Sequence, residues 1–318
     1  MSDASKSIRS QVKRVVVWGH KLHTDTFSYV NYGFVKAFAS VGFDTKWLGN
    51  DDDVSGEDFA GTLFFTMNTA DMKIPKRADC FYVLHNCSVA AYCAAGIPKK
   101  HILALQVFCI GARNAPTLPG QSSEYVRYSN GGLYQSWGTD LLPEEITKNI
   151  ANIDSILAKS TGSKKVVIVA HLTEEWKNAS DHIKKIGHVL EFRTASTKKP
   201  TSSDDNIVMV QESATAPTIQ TQWQIENHYL PCRAFKNISY GRMTGTNSKT
   251  TAEVFGDRIV YSPTIEGTID ELIKYEKKPI GDRRREIVEL MEEVRDKHTY
   301  ISKINNIFAA FDLWVADC

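Results

Sequence analysis

Two short apolar runs, each the first regular feature of its half of the chain, most constrain the fold. The first, RVVVW at residues 14–18, follows a polar tail and ends at Gly19; the second, KVVIVA at residues 165–170, follows a glycine-serine turn. Nearly continuous β-branched runs of this length are the form of strands buried on both faces of a parallel sheet. After the first run a polar loop, residues 20–25, leads into residues 29–41. There Tyr29, Val30, Gly33, Phe34, Ala37, Phe38 and Val41 share one helical stripe, before Gly42 stops the helix and residues 45–48 begin a second strand. Further strands are expected over 61–67, 80–84 and 102–107, with a short helix over 89–95. In the second half the spacing predicts a helix over 178–187, strands over 189–193 and 207–210, a surface loop over 196–205, and closing helices over 282–297 and 300–314. At 318 residues the chain suits two domains. The expectation is an α/β protein of two Rossmann-like domains facing across a cleft. The boundary is expected near the proline-containing segment 135–146, giving residues 1–150 and 151–299.

The net charge of +1 supplies no field that would recruit nucleic acid or an acidic membrane, so no nucleic-acid partner is expected. The N-terminal residues lack an apolar signal core, and the longest apolar stretch, 102–112, is interrupted by Gln106 and too short to span a bilayer. A cytoplasmic protein without a transmembrane segment is expected. The six cysteines, at 80, 87, 93, 109, 232 and 318, form no C-x-x-C pair and read as reduced packing residues.

The chemistry-bearing stretch is PCRAFKNISYGRMTGTNS, residues 231–248. Arg233 and Lys236, at i and i+3, share a face at the head of an expected helix, where free N–H groups and the helix dipole also favour an anion. A diphosphate suits such a place. Gly241 stops the helix, and Gly245, Thr246, Asn247 and Ser248 read as a turn able to hold a second anionic or hydroxyl-rich group. The loop after the first strand holds His20, His23 and Asp25, each a candidate general base where open α/β sheets bind ligands; a cap for the following helix explains the loop as well. His171 and Thr173 follow the second run and could touch phosphate or sugar, or simply cap a helix. Glu226, with Trp223 and Asn227 beside it, could accept from hydroxyls, although an exposed helix end explains it as well.

Other chemistries lose ground. G-x-G-x-x-G and Walker motifs are absent, which argues against NAD and ATP. Asp51, Asp52 and Asp53 match a metal-binding D-x-D but sit between Gly49-Asn50 and Ser55-Gly56, as a solvated turn would. His20 and His23 lack a third ligand, so no metal is expected. Arg283, Arg284 and Arg285 precede four glutamates on one helix and read as a solvated face.

The segment from Arg233 through Phe235, Lys236, Ile238 and Gly241, then Ala252-Glu253-Val254-Phe255 and Ile259-Val260-Tyr261, resembles the donor-binding part of group 1 glycosyltransferases, especially the spore-maturation-protein type. His298-Thr299-Tyr300 before the last helix resembles the same family's closing element. The resemblance covers about the last ninety residues. It implies the GT-B architecture, with an acceptor-side first domain, a donor-binding second domain, and the helix over 300–318 packing back on the first. It also implies transfer of a hexosyl or deoxyhexosyl group from a nucleoside-diphosphate sugar, GDP- or UDP-linked, to a glycan hydroxyl, without metal or further cofactor. The implied donor residues are Arg233, Lys236, Asn237, Thr246, Asn247, Ser248, Glu226, His171 and Thr173. Lys236 stands where retaining members carry a glutamate; the arrangement is similar to that of some fucosyltransferases. A nucleotide-sugar epimerase and a catalytically silent sugar-nucleotide binder are the alternatives.

Overall fold

The computed structural model describes residues 7–21, 26–121, 123–169, 174–193 and 202–317. The chain divides into two compact units, Met1–Gln135 with Tyr300–Cys318, and Ser136–Thr299.

The first unit is built on seven strands: β1 (Arg14–Trp18), β2 (Asp44–Leu48), β3 (Thr62–Met67), β4 (Phe81–His85), β5 (Ile102–Val107), β6 (Arg127–Ser129) and β7 (Gly132–Gln135). Their order is β2-β1-β3-β4-β5-β7-β6, parallel throughout except for the β6–β7 hairpin. The unbroken apolar character of β1, β3 and β4 follows from cover on both faces. On one face Val16, Trp18, Phe64, Tyr82 and Leu84 join Phe59, Tyr92 and Ile97 in a buried cluster. On the other, Phe34 of the helix Thr26–Ser40 packs its ring 4.1 Å from that of Phe65 and 4.5 Å from that of Tyr300. Gly33 permits this approach, since a Cβ there would lie 2.3 Å from the Tyr300 ring. The helix Tyr300–Asp317 also packs along β5 and β7. Because β1 lies between β2 and β3, the chain reverses its direction across the sheet beside β1, the place where parallel α/β sheets open a crevice at their carboxyl ends.

The second unit holds two parallel pairs, β8 (Lys165–Val169) with β9 (Val189–Arg193) and β10 (Gly245–Thr246) with β11 (Val260–Tyr261). Residues 214–218 join them, through parallel bridges of Val166 to Thr215 and of Thr218 to Thr246. The result is one parallel layer in the order β9, β8, 214–218, β10, β11, with its main core formed by Ile146, Val167, Phe235, Phe255, Leu272, Leu290 and their neighbours.

Three expectations are corrected. Residues 136–150 belong to the second unit, because Ile146 of the helix Pro143–Ala151 is buried in that unit's core. Residues 207–210, expected as a strand, lie in the helix Ser203–Gln211. Ser202 caps it by accepting from the Asp205 N–H, while the Asp205 side chain reaches back to the Ser202 N–H. That reciprocal cap outweighs the β preference of Ile207 and Val208. Residues 245 and 246 form a strand rather than a turn, and Gly245 is required by the Leu272 side chain, 2.8 Å from where its Cβ would be. Among the described residues no helix is long and apolar enough to cross a membrane.

Candidate functional site

In the second unit the carboxyl end of residues 214–218 meets the helix Cys232–Ser239. Pro231 at the N-cap sets the entry, and Ala234, Phe235 and Ile238 form the buried side of the helix. Phe235 stacks on His298, with ring centroids 4.6 Å apart, and meets Phe255 at 5.5 Å. Arg233 turns toward the strand end instead. Its Nη2 donates to the Ile219 carbonyl at 2.9 Å, while its Nε is inaccessible and makes no hydrogen bond. Burial pushes its pKa below the ordinary arginine value; the neighbours that favour its charge are Cys232 and Tyr229, and no carboxylate is among them. Arg233 is partly withdrawn from water, and an anion delivered to it would supply the counter-charge that its described surroundings lack.

Lys236 does not share this position. Its Nζ lies 3.0 Å from Oδ2 of Asp140, which is buried, and the Tyr240 hydroxyl donates to Oδ1 at 2.7 Å. Burial alone would raise the Asp140 carboxyl pKa; the Lys236 charge and the hydrogen bonds from Tyr240 and Lys236 outweigh it and hold the group below its usual value. The i, i+3 spacing placed two cations on one helix, but Asp140, far away in sequence, engages one of them.

The polar residues near β10 brace one another. The Gln220 N–H donates to Oδ1 of Asn247 at 2.8 Å, and Asn247 Nδ2 donates to the Gln220 carbonyl at 2.9 Å. Thr251 donates to Gln220 Oε1 at 2.6 Å, and Thr246 reaches the same atom at 3.4 Å. Ser248 caps the helix Lys249–Val254 by accepting from the Thr251 N–H. Asn237 Nδ2 donates to the Ala216 carbonyl at 2.7 Å. These four expected donor residues are therefore buried framework around the strand ends. Glu226 is exposed and accepts from Gln222 at 2.9 Å; Asn227 donates to the Trp223 carbonyl, leaving the Trp223 indole in solvent. Gln220, Asp140 and Tyr240 were missed by sequence reasoning, since their partners are distant along the chain.

In the first unit Gly19, at φ +89°, turns the chain out of β1, and Ala70 leaves no space for a side chain there. Its carbonyl accepts from Asn31 Nδ2 at 2.8 Å and from the Trp47 indole at 2.9 Å. His20 follows, with Nε2 3.0 Å from the Met67 carbonyl. A carbonyl only accepts, so Nε2 carries the proton, and only Nδ1 could serve as a base. The Phe27 ring lies between two histidines, 5.4 Å from His20 and 6.2 Å from His85. Burial lowers the His85 pKa, and its Nδ1 donates to the Leu105 carbonyl at 3.0 Å. Asp52 accepts from the Gly49 N–H and pairs with Lys21 at 3.0 Å, while Asp53 accepts from the Ser55 N–H. Each of these two acids is taken up by turn contacts, and among the described residues no cluster of metal-ligating side chains occurs. His23, Asp25, His171 and Thr173 lie outside the described residues.

No family model matches the chain, and no curated protein matches it by sequence. Solved structures do match. One is an alpha-glucosyltransferase in complex with UDP, with a TM-score of 0.56 and 9% identity over 92% of this chain and 99% of that one. Another is alpha-glucosyltransferase in complex with UDP and a 13-mer DNA containing an HMU base, with a TM-score of 0.55 and 8% identity over 93% of this chain and 99% of that one. The fold of the chain is similar to that of alpha-glucosyltransferase. This likeness agrees with the glycosyltransferase fold class, but it carries no sign of the spore-maturation-protein type. It also overturns the expectation of no nucleic-acid partner, because a protein of this fold is seen bound to DNA. Net charge was the wrong measure: phosphate contacts depend on where cations lie on the surface, which a whole-chain sum of +1 conceals.

Proposed function

We propose that the protein is a glycosyltransferase that takes a hexosyl group from a UDP-linked donor and passes it to a hydroxyl group carried by DNA. The observation that carries the donor half is Arg233: a guanidinium at a strand end, hydrogen-bonded to a carbonyl, whose buried Nε has no partner, and whose charge no carboxylate neutralises, among the described residues. The likeness to UDP-bound and DNA-bound alpha-glucosyltransferase supports UDP as the nucleotide and DNA as the acceptor. In the reaction the bond between the sugar C1 and the β-phosphate oxygen breaks, and a bond from C1 to the acceptor oxygen forms. The acceptor proton passes to a base, for which the loop after β1, with His20, His23 and Asp25, is the proposed source. The diphosphate leaves with an added negative charge, which Arg233 stabilises electrostatically, so no metal is required. The two Rossmann-like units are proposed to form the GT-B arrangement, with the donor held by the second.

The test combines binding with turnover. UDP should raise the melting temperature in EDTA, and Arg233→Ala should weaken UDP binding at least about tenfold, since a hydrogen bond to a charged group contributes about 1.5–3 kcal/mol. UDP release from UDP-glucose is then measured with HMU-containing DNA, unmodified DNA and an oligosaccharide as acceptors. Release that depends on the modified DNA supports the reading. Binding of UDP with no release on any acceptor would leave a sugar-nucleotide binder instead, and no binding would sink the donor site.

A further inference from the structure

At the opposite, amino-terminal end of the second unit's strands lies a cavity of about 470 Å³ that the donor site does not use. Its walls come from the turn before β8 (Ser160, Thr161 and Ser163), from His188 just before β9, and from the helix Ile265–Glu276 and the residues after it. Its floor is charged. Glu276 bridges two arginines, with Oε1 3.1 Å from Arg242 Nη2 and Oε2 2.5 Å from Arg283 Nη1. Arg242 also donates from Nη1 to Ser160 Oγ at 2.6 Å and from Nη2 to the Ser213 carbonyl at 2.8 Å. Among the described residues the two guanidiniums share this one carboxylate; Asp270, which also lines the cavity, is engaged by His182 Nε2 at 2.9 Å. Among the described residues neither arginine Nε, both of them buried, has a hydrogen-bond partner, and Arg283, only 8% exposed, itself lines the cavity. A core built for stability alone gains nothing from a second buried cation, whereas a site for an anion needs one. The rim supplies suitable groups. Lys277 is exposed at the edge, the Thr161 and Ser163 hydroxyls line one wall beside Ser160, whose own proton goes to the Leu157 carbonyl at 3.0 Å, and His188 has its Nδ1 committed to the Ile186 carbonyl at 3.1 Å, which leaves Nε2 as its second polar atom.

We propose that this cavity is a second ligand site, taking a small phosphomonoester whose phosphate sits over Arg283 among Thr161, Ser163 and His188. The volume admits a phosphate with a sugar-sized body. The inference is independent of the donor site, which stands on other residues at the other end of the strands.

Inorganic phosphate and glucose 6-phosphate serve as probes, titrated calorimetrically into the full chain carrying Arg233→Ala, so that anion binding at the donor site is already removed. Saturable binding of either probe is expected, weakened at least tenfold when His188→Ala and Lys277→Glu are added. Both added changes are at the rim, so the fold survives them; a matching circular dichroism spectrum checks this. Binding that the rim substitutions leave unchanged would overturn the proposal, as would the absence of saturable binding by both probes.

Discussion

Taking away the Lys236 ammonium removes the cation that keeps the Asp140 carboxylate ionised inside the second unit. Lys236→Met is expected to lower unfolding free energy by about 3–5 kcal/mol, the usual cost of leaving one partner of a buried pair behind. Asp140→Asn added to it should restore part of the loss. UDP affinity, measured below the lowered melting temperature, should be unchanged; a large drop in affinity with stability intact would return Lys236 to the phosphate. His85 offers a second test at this scale. Burial lowers its pKa in the folded chain, so the unfolded chain binds a proton first as pH falls below the ordinary value of 6.5. Its contribution is therefore whole above about pH 6.5 and is lost as pH falls through the folded value. His101 is shifted the same way by burial and adds to the slope. Denaturation midpoints between pH 7 and pH 5 should fall in the native chain and fall less steeply in His85→Gln; parallel slopes would refute this. At the candidate site the sequence singled out Arg233 and Lys236 together, and in the fold Arg233 meets the Ile219 carbonyl while Lys236 meets Asp140. It could not separate a cation without a carboxylate partner from a paired one, because Asp140 lies far from Lys236 in the chain and close only in the folded unit. The same holds for Thr246 and Asn247, whose polar side chains looked available until Gln220 folded against them.

Helix packing on the first sheet turns on one missing side chain. Gly33→Ala would push a methyl group into the Tyr300 ring, which is itself held against Phe34 and cannot yield freely. A loss of about 1–3 kcal/mol is expected, the range for overpacking a close-fitted core, read from chemical denaturation. An unchanged midpoint would show that the two helices slide apart at little cost. At this scale the sequence was most informative where apolar periodicity is strong: β1 to β5, β8, β9 and the long closing helices lie close to where the spacing put them. It failed where structure is local and short. The β6–β7 hairpin has little apolar signal, and residues 214–218 act as a strand by bridging neighbours that no spacing rule reveals. Residues 207–210 show the converse, a β-rich run overruled by a cap.

The chain as a whole leaves the first unit after Gln135 and re-enters it at Tyr300. Ile304, Ile307, Phe308, Phe311 and Trp314 of the returning helix are all buried. Ending the chain at Thr299 should therefore expose apolar surface in the first unit alone. The expected outcome is a truncated protein in which hydrogen exchange is accelerated across β1 to β7 and little altered across β8 to β11. Uniform acceleration would mean that the units are not independently stable. The two ends of the second unit are fastened to each other within it, through the hydrogen bond from the Thr139 N–H to the His298 carbonyl at 2.9 Å and the parallel bridge of Thr139 to Thr299. During translation this gives the two units different clocks. The middle of the protein has every residue it needs as soon as Thr299 leaves the ribosome, whereas the part begun first must wait, with β5 and β7 uncovered on one face, for the helix Tyr300–Asp317 to be made.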